Sequence, residues 1–157
     1  AIKISAEKIV ESYFNSFDID VLTIRPFNVF VPRQSAKAII PTIITHLIKS
    51  NTIEIGSDKP VRDFTYVEDT VIGFIKAAQH ENVSGKIINI GNGQGISIKE
   101  LIDMYAKQLE VKNVEIRNNI SRNRPEKSEV FKLICNNQYS KEYILWEPKI
   151  TLRKERN

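Results

Sequence analysis

Two periods alternate along this chain, and that alternation limits its fold more than any other feature. Val21-Leu22-Thr23-Ile24-Arg25 is short, apolar and β-branched, the pattern of a strand buried in a parallel sheet. Before it, Ile2, Ala6, Ile9, Val10, Tyr13 and Phe17 recur at helical spacing, while Lys3, Glu7, Lys8 and Glu11 fall mainly on the other faces. After it, Ile39, Ile40, Ile43, Ile44, Leu47 and Ile48 repeat the helical pattern, with Pro41 in the first turn, where proline is tolerated. Ile53-Glu54-Ile55 is a short alternating strand closed by Gly56. A third helix follows Phe64, Tyr66 and Val67, with Val71, Phe74, Ile75 and Ala78 on one face. Lys86–Ile90 and Val114–Ile116 read as further strands. Between them lies a helix carrying Ile98, Leu101, Ile102, Tyr105 and Leu109. A last short helix is expected over 138–145.

Thr65-x-x-Glu68 and Ser97-x-x-Glu100 both have capping-box spacing at a helix start. The order is α/β, without internal repeat or low-complexity tract. The strands are too few and too dispersed for a self-contained doubly wound sheet. Residue 1 falls inside a helical pattern with no N-cap before it, so the start of the chain is read as a cut.

The 157 residues suffice for one domain with a core, and 41% hydrophobic with 27% charged residues is an ordinary soluble balance. No apolar run is long enough for a membrane span and no signal segment opens the chain, so a cytoplasmic setting is expected. One cysteine, Cys135, excludes a disulfide framework and a cysteine metal cluster. His46 and His80 stand far apart, which disfavours a histidine metal site or catalytic triad. The charge is +4, partly from Arg117, Arg122, Arg124 and Lys127 and from Arg153, Lys154 and Arg156. Few aromatics interleave with these cations, so a platform for single-stranded nucleic acid is not evident. Cations lining an anionic small-molecule pocket would use the same residues.

Arg62 sits between the turn Gly56–Pro60 and the third helix. A planar, permanently charged guanidinium there suits a bidentate phosphate contact, or a surface pair with Asp63 or Glu68. Asn28 lies in the Pro26–Pro32 segment leaving the first strand's C-terminal end, the edge where open α/β sheets bind ligands. Asn is also common in loops for its own backbone bonds. Gly91-Asn92-Gly93-Gln94-Gly95 has the look of a phosphate loop but lacks the rest of a dinucleotide fingerprint, and a turn is the favoured reading.

In order along the chain, Lys3–Glu7, Arg25–Gln34 (RPFNVFVPRQ), Pro60–Asp69 (PVRDFTYVED), Ile88–Gly91 with Ile96–Ile98, Arg124-Pro125-Glu126 and Leu145–Lys149 (LWEPK) form a series. This series resembles the C-terminal half of the NAD-dependent epimerase/dehydratase family, the extended short-chain dehydrogenases acting on nucleotide sugars. The resemblance implies the C-terminal part of an NAD(P)-binding Rossmann fold with a small substrate-binding α/β subdomain. Residues 1–157 would all belong to that portion, with the N-terminal dinucleotide-binding half absent. Arg33–Ala36 and Arg124–Val130 look most similar to nucleotide-sugar 4,6-dehydratases of legionaminic-acid-type biosynthesis, which act on a UDP- or GDP-N-acetylglucosamine. A 4-epimerase of the same family and a non-catalytic nucleotide-sugar-binding fragment are the alternatives.

The reaction so implied removes the sugar 4-hydroxyl proton with a tyrosinate while hydride passes from C4 to NAD. Water is then lost across C5 and C6, and hydride returns at C6. Lys3 matches the lysine of the family's Tyr-x-x-x-Lys pair, which makes it both catalytic and cofactor-binding; read alone, it is a solvated helix-face lysine. Pro26 matches a cofactor-binding position. Asn28, Arg62 and Arg124 match positions that bind the nucleotide diphosphate. Ile39, Pro41 and Ile55 match positions that wall the base or neighbouring substrate; read alone, they are core. The partners implied are a nucleotide sugar and a second copy in a homodimer, with no nucleic acid, membrane or metal. Three departures stand out. The tyrosine would fall four residues before Lys3, outside this chain. Val31 stands where a glycine is usual and would be strained if that position has positive φ. Leu145 also stands where a glycine is usual.

Overall fold

The computed structural model describes residues 2–119 and 130–152. In chain order its elements are α1 (Ile2–Phe17), β1 (Thr23–Pro26), β2 (Asn28–Phe30), α2 (Ile39–Lys49), β3 (Thr52–Ile55), β4 (Val61–Arg62), β5 (Phe64–Tyr66), α3 (Val67–Gln79), β6 (Ile87–Ile90), β7 (Ile96–Ser97), α4 (Ile98–Gln108), β8 (Glu115–Asn118), β9 (Lys132–Leu133) and α5 (Gln138–Ile144). Two compact units emerge, one from residues 1–29, 65–93 and 135–157, the other from 30–64 and 94–134.

The first unit is built on the β-branched runs. β1 and β6 pair in parallel, Thr23 opposite Ile87 and Pro26 opposite Ile90. Ala77, Val83, Ile88, Ile90, Ile144 and Trp146 form its buried cluster, with Leu22, Ile24 and Tyr143 packed against it. Gly73 lets α3 approach β6: a Cβ there would lie 2.6 Å from Ile90 Cδ1. α3 therefore buries its small and polar side, Asp69, Thr70, Gly73 and Ala77. Val71, Phe74 and Ile75, which the sequence groups with Ala78 on one face, are 43–50% exposed. α1 also forms as expected, yet none of its residues is buried.

In the second unit β3 and β8 pair in parallel, Thr52 opposite Glu115 and Ile55 opposite Asn118. β4 runs centrally in the order β7-β4-β9, antiparallel to β7 and parallel to β9. α2 packs on β3 and α4. Among the described residues Ile40, Ile43, Leu47, Ile53, Ile55, Phe64, Ile98, Leu101, Ile102 and Ala106 are its buried apolar residues.

The two capping boxes part company. Ser97 Oγ accepts the Glu100 amide at 3.1 Å and the Glu100 carboxylate accepts the Ser97 amide at 2.8 Å. At α3, by contrast, the N-cap is Tyr66, with no side-chain cap, and Thr65 lies within β5. The β-strand takes Thr65 one position before the helix boundary, so its buried hydroxyl is left without a partner. Among the described residues no helix is long and apolar enough to cross a membrane.

Candidate functional site

Lys3, Pro26 and Asn28 belong to the first unit, and Ile39, Pro41, Ile55 and Arg62 to the second. Arg124, with Arg122 and Lys127, lies outside the described residues.

Lys3 is exposed on α1. One turn on, Glu7 shares its helix face and accepts from Arg25 at both guanidinium positions, Nε at 2.9 Å and Nη2 at 2.5 Å. This fork fastens the Lys3 face of α1 to β1. Arg25 donates to Glu7 and holds its carboxyl below the ordinary glutamate value, while the same bond raises the Arg25 guanidinium. Pro26 ends β1, and the next amide, Phe27 N–H, donates to the Ile90 carbonyl at 2.8 Å. The first unit thus sets Lys3 and the C-terminal end of a parallel pair on one tied framework. Asn28, expected in a loop, is half-buried as the first residue of β2.

In the second unit the turn before Arg62 is held by α4. Ile98 N–H donates to the Pro60 carbonyl at 3.0 Å and Lys99 N–H to the Asp58 carbonyl at 2.9 Å. The Ser97 cap satisfies the next amide, so the start of α4 spends its backbone donors on the 58–60 turn and its own cap. On β4 itself, Val61 N–H donates to Phe131 at 2.7 Å and Asp63 N–H to Leu133 at 3.1 Å. Arg62 is therefore on a central strand, not in a loop, with its backbone framed from both sides. Its Nη1 donates to the Val61 carbonyl at 2.9 Å. Ile39 and Pro41 are half-buried in the first turn of α2. Ile55 is 3% exposed, and its carbonyl accepts from Asn119 N–H at 2.8 Å. What Ile55 offers a ligand is the wall behind it, because its side chain is core and its carbonyl is engaged.

Gly91–Gly95 is a turn fitted to its own chain. Asn137 Nδ2 donates to the Gly91 carbonyl at 3.0 Å, and Gly93, at φ +78°, is so close to Asn137 that a Cβ would meet Nδ2 at 3.0 Å. Asn137 thus packs against the loop and ties it to the segment before α5, as a turn would be. Val31 has no positive φ; the left-handed residue in that segment is Arg33, at φ +64°. Arg117, counted in the basic cluster, is forked onto Glu115 at 2.9–3.0 Å. Among the described residues no group of three or more His, Cys, Asp or Glu could hold a metal.

Asp69 is a residue whose role the sequence does not announce. It is 2% exposed, its carbonyl accepts Trp146 Nε1–H at 2.9 Å, and its carboxylate accepts the amides of Lys149 and Ile150 at 3.0 and 2.8 Å. It joins two of the motifs quoted above. The available signal was an acid in the first turn of a helix, which ordinarily reads as dipole complementation.

Residues 1–91 match the model of the NAD dependent epimerase/dehydratase family. The chain is 32% identical to Pal from Bacillus thuringiensis, whose solved structure it matches with a TM-score of 0.83 over 96% of this chain and 48% of that one. It is 25% identical to a UDP-glucuronic acid 4-epimerase from Bacillus cereus solved with UDP-glucuronic acid and NAD, TM-score 0.85, covering 96% of this chain and 47% of that one. Over 105 residues it is 32% identical to a dTDP-glucose 4,6-dehydratase from Streptomyces griseus, covering 66% of this chain and 32% of the relative. It thus spans half or less of the length of each.

Proposed function

Because this chain belongs to the NAD dependent epimerase/dehydratase family, we propose that it is the substrate-binding portion of an NAD-dependent enzyme acting on nucleotide sugars. The framing of Arg62 on a central strand carries the reading: a guanidinium on a backbone fixed by α4 and β9 is preorganised for a diphosphate. Asn28 and Arg124 match further family positions that bind the diphosphate, and Ile39, Pro41 and Ile55 match positions that wall the base or neighbouring substrate. Within the class, we assign a 4,6-dehydratase acting on a UDP- or GDP-N-acetylglucosamine. The relatives include both a dTDP-glucose 4,6-dehydratase and a UDP-glucose 4-epimerase, and the 4-epimerase of the same family is the second reading. The protein is assigned to the cytoplasm.

NAD, when bound, supplies reversible hydride acceptance. An exposed ammonium on a helix tied to β1 suits the hydroxyls of the nicotinamide ribose and would stabilise a neighbouring phenolate. Lys3 is that group, and Pro26 ends the same strand. The Glu7–Arg25 fork keeps the Lys3 face of α1 against β1.

Thermal melting with UDP- and GDP-N-acetylglucosamine tests the binding assignment. Ligand at tenfold its Kd contributes about 1.4 kcal/mol, a rise of roughly 2–4 °C. Arg62→Ala is expected to melt as the parent does without ligand and to lose the rise. Absence of any rise at millimolar ligand would refute retained substrate binding.

A further inference from the structure

The two faces of the β1–β6 pair are covered unequally. Alternation along the strands sends Ile24, Ile88 and Ile90 into the cluster with Ala77, Ile144 and Trp146. It sends Thr23, Arg25 and Ile87 to the opposite face, which α1 crosses. Two ties hold α1 there. Glu7 takes the Arg25 guanidinium in a fork, and the Phe14 ring lies so close to Gly85 that a Cβ would meet its Cε1 at 2.6 Å. Elsewhere the surfaces part: no residue of α1 is buried, and Ile87 is 43% exposed. The space left is a cleft of about 260 Å³, walled by Val10 and Phe14, floored by Thr23 and Ile87, and rimmed by Glu11 and Asn15. The charges around it are not equally available. Arg25 spends both arms on Glu7, and the Lys86 ammonium sits over the Tyr143 ring, 4.4 Å from its centroid. Glu11 is held by Lys8 in an exposed pair on its own helix, a kind of pair that contributes little. What the cleft offers is therefore an acceptor-only carboxylate, with an amide and a hydroxyl in the same lining and an apolar floor.

We propose that this cleft binds a small primary amine carrying an aromatic ring, its ammonium on Glu11 and its ring between Phe14 and Ile87. An ammonium donates to a carboxylate in a charge-assisted bond, and a ring beside Phe14 gains offset or edge-on packing. The volume falls below the roughly 300–1,000 Å³ of sites for drug-sized ligands, which limits the occupant to about one ring and a short chain. An anionic ligand would have to pull Arg25 from Glu7 and then lie against two carboxylates, so a phosphate or nucleotide does not suit. An uncharged aromatic molecule would leave the Glu11 carboxylate to its exposed lysine. The site uses none of the residues assigned to substrate or cofactor. It rests on α1 and the β1–β6 pair and not on the reaction assigned above.

Titration of the nitrogen-15-labelled 157-residue chain with phenethylamine at neutral pH, followed by amide shifts, forms the test. Saturable shifts are expected at residues 7–15, 23 and 85–87, with a Kd on the order of millimolar, as suits a ligand of so few atoms. 3-Phenylpropionate keeps the ring and reverses the charge, and it is expected to shift none of these amides at the same concentrations. Butylamine keeps the ammonium and drops the ring, and it is expected to bind about tenfold more weakly. Glu11→Gln is expected to weaken phenethylamine about tenfold with helical circular dichroism unchanged. Ile87→Trp, which fills the floor, is expected to abolish binding, and Glu81→Gln, an exposed acid outside the cleft, to leave the Kd as in the parent. Absence of saturable shifts at these residues would overturn the proposal. So would equal binding of 3-phenylpropionate, or a parent-like Kd in either Glu11→Gln or Ile87→Trp.

Discussion

Leu145 holds the left-handed conformation, φ +50°, at the C-cap of α5. An L side chain there costs about 1 kcal/mol relative to glycine, and at 72% exposure this one returns little packing. Leu145→Gly is expected to stabilise the chain by about 1 kcal/mol and to raise the melting temperature by roughly 2–4 °C. An unchanged or lower melting point would mean that the leucine has a contact worth as much as the strain. Val31, also at a position where the family favours glycine, is not left-handed, and Arg33 takes the positive φ instead. Two glycine replacements that look alike in sequence are thus unlike in structure, because which residue of a turn turns left depends on the turn adopted. The capping boxes make the same point. Ser97→Ala is expected to cost about 1 kcal/mol, since its hydroxyl holds the Glu100 amide. Thr65→Val removes a hydroxyl that bonds nothing and is expected to be neutral or mildly stabilising in the same denaturant titration. Equal losses at both positions would refute the distinction.

At the scale of elements, the five helices of the described residues were legible because eleven or more residues of periodic pattern, or the run before Trp146, outweigh local noise. β2, β4, β5, β7 and β9 were not, being two or three residues each, too short to show a period. The apolar face of α3 is not the buried one, for a physical reason: close approach to Ile90 and Trp146 selects the Gly73 and Ala77 side over the larger apolar one. The clasp that holds this arrangement is Asp69. Asp69→Ala removes the acceptor of two backbone amides and is expected to cost about 2–3 kcal/mol. The only tryptophan, Trp146, reports on it directly, through a red-shifted emission as the 146–150 segment loosens. Native-like emission with parent stability would exclude the clasp. The α1–β1 fork responds to pH. Glu7 has its carboxyl lowered from the ordinary 4.5, chiefly by the Arg25 hydrogen bond. Its contribution is therefore complete above that value and is lost as pH falls through the lower folded value. Titration of the Glu7 carboxyl by NMR is expected to give a midpoint below that of a glutamate in the unfolded chain, and Arg25→Gln should return it to the ordinary range.

For the whole molecule, six short motifs in order were enough to place the chain in its family, although no one of them specifies it. The roles assigned to Lys3, Pro26, Asn28, Ile39, Pro41, Ile55, Arg62 and Arg124 came from matching those motifs, and the structure adds what such matching cannot: which backbone is rigid. Arg62 stands on a central strand, Pro26 closes a paired one, and Ile55 is committed to the core. Those positions have different tolerances. Ile55→Ala is a cavity mutation first, and Arg62→Ala is a ligand mutation first. The chemistry imposes a further separation between binding and turnover. A phosphate clamp needs only guanidiniums and an amide, residue types that the proposed diphosphate-binding positions carry. Proton transfer from the sugar 4-hydroxyl needs a phenol that the family pattern places four residues before Lys3. A lysine ammonium placed beside a phenol can lower that phenol's pKa but does not itself supply the phenolate oxygen. The 157-residue chain is thus expected to be stabilised by a nucleotide sugar and yet to form no NADH and no 4-keto product from UDP- or GDP-N-acetylglucosamine with NAD. Absorbance at the nicotinamide band and mass analysis of the sugar nucleotide check this together. Product formed by this chain alone would show that the acid/base group lies within residues 1–157 and would overturn the role given to Lys3.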